Sequence, residues 1–398
     1  MNSVVIVSAV RTPIGKLGGA LHNVLPEELT KLVLNEAISR AEINKEQVDE
    51  VIVGQTKQTT DAPNLARVAS LSAGIPEHIP AYTVHRQCSS GMQSIVNAIM
   101  QIQTGHAKIV LAGGVESMST APYYLRQARF GYKAGNGYLL DPNTESQPKS
   151  QPEEIYGTFN MGITAENLAE KYNISRKAQD EFALSSQEKA IDAIDREKFK
   201  EEILPVQVKE RKREFIVDTD EHPRRDTNLE KMSKLKPAFK PDGTVTAGNS
   251  AGRNDGASAM VVMSEAKAQE LEIKPLARFV SMGIAGVSPQ LMGIGPVPAT
   301  RKALKNANLD LSKIDVIELN EAFSAQSLAV VKELNLNLDK LNINGGAIAL
   351  GHPLGCSGNR IVVTLLHEMK RNSSKYGLAT ICVAGGQGLA TVYESINV

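Results

Sequence analysis

The chain has no excess of either charge. Forty-four basic residues balance 44 acidic ones over 398 positions, so nothing in the charge balance suits a bulk polyanion such as nucleic acid. No apolar run approaches the roughly 18 residues a bilayer-spanning helix needs. The opening "MNSVVIVSAVRTP" has neither a basic leader nor a small-residue cleavage site, and the closing "SINV" is no peroxisomal or prenylation signal. A cytoplasmic, non-membrane protein is expected. Cysteine is scarce as well: Cys88, Cys356 and Cys382 are odd in number, far apart and without C-x-x-C spacing. That argues against a disulfide framework and leaves a zinc site no local ligand pair to start from. With 42% apolar and 22% charged residues, the remaining class is an ordinary globular chain, long enough for two core-forming units and a large insertion.

The order of segments alternates strand and helix. "VVIVSAV", "EVIVG" and "KIVLAGG" read as buried strands. "PEELTKLVLNEAISRA" gathers Leu29, Leu32, Val33, Ala37 and Ile38 on one helical face, and Met92, Ile95, Val96, Ile99 and Ile102 recur at helical spacing until Gly105. This pattern predicts an α/β protein. It also repeats. "VDEVIVG" matches "KIDVIELN" with Val51 on Val316, "IVLAGG" matches "ICVAGG" with Ala112 on Ala384, and "CSSGMQSIV" corresponds loosely to "GCSGNRIVV". Three pairs in one order predict two related halves. The reading divides the chain into a first half over 1–118, an inserted loop domain over 119–248 and a second half over 249–398. The insertion differs in composition, with aromatics ("PYYLRQARFGY"), polar loops, helical stretches and the basic run "VQVKERKREF". A long insertion of that kind usually covers a site.

Chemistry enters at "VHRQCSSGMQS". Cys88 stands between a strand-like run and the first turn of a helix, where backbone N–H groups favour a thiolate. Among seven histidines, His352 alone lies in a glycine cluster, "NINGGAIALGHPLGCSG", with five glycines in a short span that permit close approach of another segment or a ligand. A thiol is only a few per cent ionised at neutral pH, and a nearby imidazole can take its proton. Cys382, at a strand end in "ICVAGGQGLATVYE", suits either a second acid–base group or an inert buried thiol. Asn320 in "IELNEAFSAQ" suits either a helix cap or a water-holding amide.

Taken together and in order, "HRQCSSGMQS", "GNSAGRNDGAS", "LNEAFSAQ", "NGGAIALGHPLGCSG" and "CVAGGQG" resemble the thiolase family over the whole chain, from "VSAVRTPIGKLGG" to the last strand. "MGITAENLAEKYNISRKAQDEFALSSQEKA" and "LKPAF" resemble the family's inserted domain. The resemblance implies a five-layer αβαβα sandwich of two pseudo-equivalent βαβαβαββ halves, the insertion covering a coenzyme A site, and a homodimer or homotetramer. It implies acetyl-CoA C-acyltransferase activity, reversible Claisen condensation and thiolysis, with short-chain acetyl transfer as the first expectation and longer 3-ketoacyl-CoA substrates as the alternative; a degenerate acyl-CoA-binding homologue is a third. Acyl-CoA, acetyl-CoA and CoA are then the partners, CoA being substrate and product, with no cofactor and no metal. By motif, Cys88 takes the acyl group, His352 activates it, and Cys382 exchanges the α-proton of acetyl-CoA. His352 and a water on Asn320 serve one oxyanion, the N–H groups of Cys88 and Ala384 the other. Arg224, Ser250, Ala251 and Met161 are the expected substrate contacts. Three positions depart from the family pattern: Ala384 replaces a customary Gly and would be strained at positive φ, Ala251 replaces a customary Ser, and Asn160 replaces a His.

Overall fold

The computed structural model describes residues 2–211 and 213–396. Its first half places strand β1 (Val4–Arg11), helix α1 (Pro26–Arg40), β2 (Glu50–Gly54), α2 (Leu65–Ser72), β3 (Ala81–Val84), α3 (Ser90–Gln103) and β4 (Ile109–Ser117) in succession. The insertion follows, with helices α4 (Met161–Lys171) and α5 (Arg176–Asp195), before β5 (Asn254–Ser264) returns to the sheet. The second half runs β6 (Ala277–Gly286), α6 (Pro296–Ala307), β7 (Val316–Leu319), α7 (Ser324–Leu334), α8 (Leu354–Arg371), β8 (Tyr376–Val383) and β9 (Gln387–Glu394). Helix starts follow local chemistry. Pro26 opens α1 with Glu27 and Glu28 in its first turn and Arg40 in its last, matching the helix dipole.

The strands lie in the order β3-β2-β4-β5-β1-β6-β9-β8-β7. β2 is parallel to β3 and β4, β7 is parallel to β8, and β5 and β9 run antiparallel to their neighbours. The order is mirrored about the β1–β6 seam, where only Val5↔Arg278 and Ile6↔Ala277 pair. A third strand of the second half survives as one bridge, Ile317↔Leu341. β5, read from the sequence as part of the second half, pairs with β1 and β4 and completes the first.

Side-chain alternation separates the layers. Val51, Val53, Ile109 and Leu111 face α1 and α2 in one core, while Ile52, Val110 and Ala112 face the opposite way. That central core holds α3 and α8 between the two halves of the sheet, and on its far side come Val316, Ala379 and Ile381. Ile317, Leu319 and Leu378 point outward to α6 and α7. Helices, sheet, helices, sheet, helices: the five layers are these cores.

The internal repeat is real, with a different register from the sequence matches. Asp49 accepts from the N–H groups of Lys108 and Ile109; Asp315 accepts from those of Lys375 and Tyr376, 266 positions on from Asp49 (315 − 49). Val51 N–H bonds the carbonyl of Pro80, and Ile317 N–H that of Lys340. Val51 thus corresponds to Ile317, one place from the sequence match. Since Ile109 corresponds to Tyr376, Ala112 corresponds to Ala379, five residues from Ala384. The apolar-plus-glycine string occurs mid-strand in β4 and at the end of β8, and short apolar strings do not fix register.

Arg11 pins the insertion to this frame. Its buried guanidinium bonds Glu202 at 2.6 Å and Asp220 at 2.7 and 2.9 Å, and lies 5.0 Å over the Phe199 ring.

Candidate active site

Cys88 follows β3 and lies two residues ahead of α3. The turn that holds it passes through Gln87 at φ +45°, a left-handed conformation that side-chain-bearing residues adopt at a cost. Ser90 secures that turn: its hydroxyl accepts from the Arg86 N–H at 2.8 Å and donates to the Gln87 carbonyl at 2.7 Å. The Arg86 guanidinium reaches the Gln387 side chain at 2.8 Å and fastens the turn to β9. At Gly91 the helix passes so near α8 that an added Cβ would lie 2.7 Å from the Gly355 carbonyl. The two central helices cross there, which brings their leading residues together.

His352 is the counterpart, two residues ahead of α8. Its main-chain N–H donates to Asn254 Oδ1 at 2.9 Å. Gly351, at φ +104°, leaves room for that amide. The ring hydrogen bonds fix the tautomer. Ser357 Oγ gives its one proton to the Pro353 carbonyl at 2.9 Å, so at 2.6 Å from His352 Nδ1 it accepts. Nδ1 carries the proton, and Nε2 presents a lone pair. Asn320 Nδ2 stands 3.5 Å from Nε2, and Asn320 Oδ1 is buried with no protein partner, an acceptor suited to a bound water. Burial, with a smaller contribution from the Arg360 charge, holds the imidazole down at about 3. It is therefore neutral at physiological pH.

Cys88, His352, Cys382 and Ala384 line a single cavity, together with Met161, Met292 and Phe323. The backbone amides of Ala384 and Cys88 act on the Cys88 sulfur in the sense that favours a thiolate. Ala384 has no left-handed backbone; Gly385 (φ +85°) and Gly386 (φ +84°) take that conformation, so the alanine carries none of the expected strain. The expected low thiol pKa is not found. Burial pushes the Cys88 thiol above its ordinary value, outweighing the two backbone amides and the nearby Lys57 charge. Cys88 stands outside α3, whose own N-cap is Ser89, so the helix terminus does not prevail. Burial, and then the charge of Cys88, drives the Cys382 thiol far above its usual range. At rest the site holds two thiols and a neutral imidazole.

The remaining residues divide between two adjoining cavities. Met161 is the first residue of α4 and lines the cavity of Cys88, while Asn160 is spent as the N-cap of that helix, accepting from Ile163 N–H at 3.1 Å. Ser250 and Ala251 line both this cavity and its neighbour, where Arg224 and His222 lie. The Ser250 hydroxyl is committed to the Thr246 carbonyl at 2.7 Å. Arg225 pairs with Asp195 at 2.6 Å, whereas Arg224 is exposed and, among the described residues, in no ion pair. Phe239, from the "LKPAF" stretch, meets Phe323 edge-on at 6.0 Å, and both face the Cys88 cavity.

The sequence reading missed four supporting residues. Ser357 and Asn254 orient His352. Glu116, fully buried, accepts from the N–H groups of Thr56, Lys57 (2.9 Å) and Gly355 (2.9 Å), tying three segments below the site. Lys57 is buried beside them. A carboxylate inside the apolar run "VLAGGVES" was the available signal; the lysine sits in a polar stretch that gives none.

A five-layer sandwich of two related halves, with a cysteine and a histidine at the heads of its crossing central helices and a second buried thiol on the same cavity, defines the class. The chain belongs to the thiolase family: residues 4–266 match the model described as thiolase, N-terminal domain, and residues 273–395 that described as thiolase, C-terminal domain. The seam between the matches falls between β5 and β6, as the strand pairing has it. The chain is 48% identical over 397 residues to the acetyl-CoA acetyltransferase of Syntrophomonas wolfei, covering 99% of each. Its fold matches a crystal structure of the Bacillus anthracis acetyl-CoA acetyltransferase at a TM-score of 0.97, with 50% identity over 100% of this chain and 99% of that one. It also matches human mitochondrial 3-ketoacyl-CoA thiolase in complex with CoA at 0.94, with 44% identity and coverage of 99% and 98%.

Proposed function

We propose that the protein is an acetyl-CoA C-acetyltransferase, converting acyl-CoA and acetyl-CoA to 3-ketoacyl-CoA and CoA, and the reverse, through an acyl group on Cys88. The observation that carries this reading is the convergence of Cys88, His352 and Cys382 on one cavity, which Ala384 also lines. In thiolysis the Cys88 sulfur attacks the 3-keto carbon as its proton passes to His352 Nε2. Charge on the carbonyl oxygen falls to hydrogen-bond donors; losing one such donor typically costs about 10²–10³-fold in rate. The C2–C3 bond then breaks, and the departing acetyl-CoA enolate takes the Cys382 proton. CoA–SH returns a proton to the Cys382 thiolate and attacks the acyl-cysteine; the Cys88 sulfur leaves and recovers its proton from His352. Every proton is accounted for, and the neutral resting groups are the forms this direction starts from.

Arg224, Ser250, Ala251 and Met161 are read as the contacts for CoA, with Arg224 free for its phosphates. The reading makes CoA substrate and product and calls for no cofactor or metal. A homodimer or homotetramer is read from β3, a half-buried edge strand with no outer neighbour among the described residues, and from the exposed Phe130, Tyr138 and Leu139 of the insertion. No helix among the described residues is long and apolar enough to cross a membrane, and the compartment is read as cytoplasmic.

A second reading, a thiolase for longer 3-ketoacyl-CoA chains, is favoured by one observation: Asn160 caps a helix and leaves the apolar Met161, Met292 and Phe323 to face the acyl group. Thiolysis of 3-ketoacyl-CoA substrates of increasing length, with Cys88→Ala as blank, decides. Activity concentrated on acetoacetyl-CoA supports the acetyltransferase; activity rising with length supports the second reading; none above the blank refutes both.

A further inference from the structure

Lys57 is a buried lysine. It is 7% exposed, and its Nζ donates to the Pro142 carbonyl at 3.1 Å and to the Ser146 hydroxyl. Among the described residues it is in no ion pair. Buried ammonium groups are rare unless a negative charge balances them. The two carboxylates that act on it already have other partners. Glu116 accepts from the Thr56 hydroxyl and three backbone N–H groups, and Asp141 lies 3.6 Å from Arg253 while capping the turn that begins at Pro142. The anchor of the ammonium, Ser146, belongs to the covering insertion and lines the Cys88 cavity. A cation is therefore seated on the covering segment beside the cavity of the nucleophile, with Glu116 and Asp141 as its neighbouring negative charges but neither in an ion pair with it.

We propose that Lys57 is a positioning residue for Cys88: its ammonium, seated on Ser146 and the Pro142 carbonyl, is the counter-charge that stabilises the Cys88 thiolate when it forms. The inference rests on Cys88 being the nucleophile. Lys57 and Cys88 act on each other in the sense required, the lysine lowering the thiol and the thiolate raising the lysine. Burial acts against both charges, as it must for a pair that ionises only when used. The other charged groups facing the pair are Glu116, which favours the ammonium more than Cys88 does and opposes the thiolate, and Asp141 and Arg253, which act on Lys57 from the covering segment and from the approach to β5.

The test is the pH dependence of Cys88 alkylation by iodoacetamide without any CoA substrate, with the modified residue mapped by mass spectrometry. Lys57→Met raises the midpoint by about one unit, which is about tenfold slower alkylation at a given pH below it. Lys57→Arg stays within a few-fold of the wild-type rate, and Ser146→Ala, which keeps the charge but loosens its seat, falls between. A purely structural lysine would change stability without moving the midpoint. An unmoved midpoint in folded Lys57→Met, or an Arg variant shifted as far as the Met variant, overturns the proposal. Should Lys57→Met not fold, Lys57→Gln, which retains a donor for Ser146, takes its place with the same two outcomes. Thiolysis is measured in parallel: a wild-type chain that lacks it while the midpoint still moves refutes the acyltransfer reading and leaves the charge pairing standing.

Discussion

Ser357 touches no substrate, yet it decides which nitrogen of His352 is basic. Its hydroxyl proton is used by the Pro353 carbonyl, so it can only accept from Nδ1–H, and Nε2 is left to take a proton. In Ser357→Ala the Nδ1–H loses its acceptor in a buried place. Stranding such a donor costs about 1–3 kcal/mol. The other tautomer leaves Nδ1 only as an unpartnered acceptor, the lesser loss, and Asn320 can turn its unpartnered Oδ1 toward the Nε2–H. The proton-accepting form then falls by about 5- to 150-fold, the equilibrium equivalent of that energy. Acylation of Cys88, followed as a rapid burst with a chromogenic acyl thioester, slows by the same range, while substrate affinity holds because Ser357 does not line the cavity. Nitrogen-15 chemical shifts of the His352 ring report the tautomer directly. Ser357→Thr, which keeps the hydroxyl, restores both. Acylation within twofold of wild type, with ring shifts unchanged, would refute the reasoning.

Other consequences follow from the same geometry. Arg11→Met leaves Glu202 and Asp220 buried without their cation and costs about 3–5 kcal/mol, read as a lowered urea midpoint; an unchanged midpoint would mean the triad contributes nothing. Because His352 stays neutral and burial raises the Cys88 thiol, alkylation of Cys88 is lost as pH falls through one midpoint above the ordinary thiol value, with no step near 6.5. A rate already level by pH 7 contradicts this. Ala384→Gly leaves thiolysis within a few-fold, since Ala384 has ordinary φ. Gly385→Ala instead meets the Ser150 carbonyl at 2.8 Å in a left-handed position, and it should cost both stability and rate; equal behaviour of the two variants would sink the distinction.

Much of this was legible in the sequence because it is periodic or chemically loud. Buried strands such as β4 appear as apolar runs, α1 as an amphipathic stripe, and Cys88 and His352 as reactive groups among small residues. Cys382 and Ala384 were found by motif, and both line the cavity of Cys88. What stayed hidden depends on distant contacts. β5 is buried on both faces, shows no alternation, and is separated from its partner β4 by the whole insertion. The pKa of Cys88 is set by enclosure, and a helix start in the sequence says nothing of enclosure. Lys57 looks like any loop lysine until the covering segment closes on it. Asn160 and Ala384, conspicuous as departures, have ordinary local structure: one caps a helix, the other has an ordinary negative φ.

The crossing of α3 and α8 at Gly91 and Gly355 sets Cys88 and His352 in like positions of the two halves, each two residues ahead of its helix. Two identical chains related by an exact dyad would have to present identical groups at such a crossing, two thiols or two imidazoles, and neither pair sets a sulfur nucleophile beside an imidazole base. Joining the halves in one chain lifts that identity. Each half is then an incomplete tool, and the broken symmetry between them is what lets a thiol nucleophile face an imidazole base.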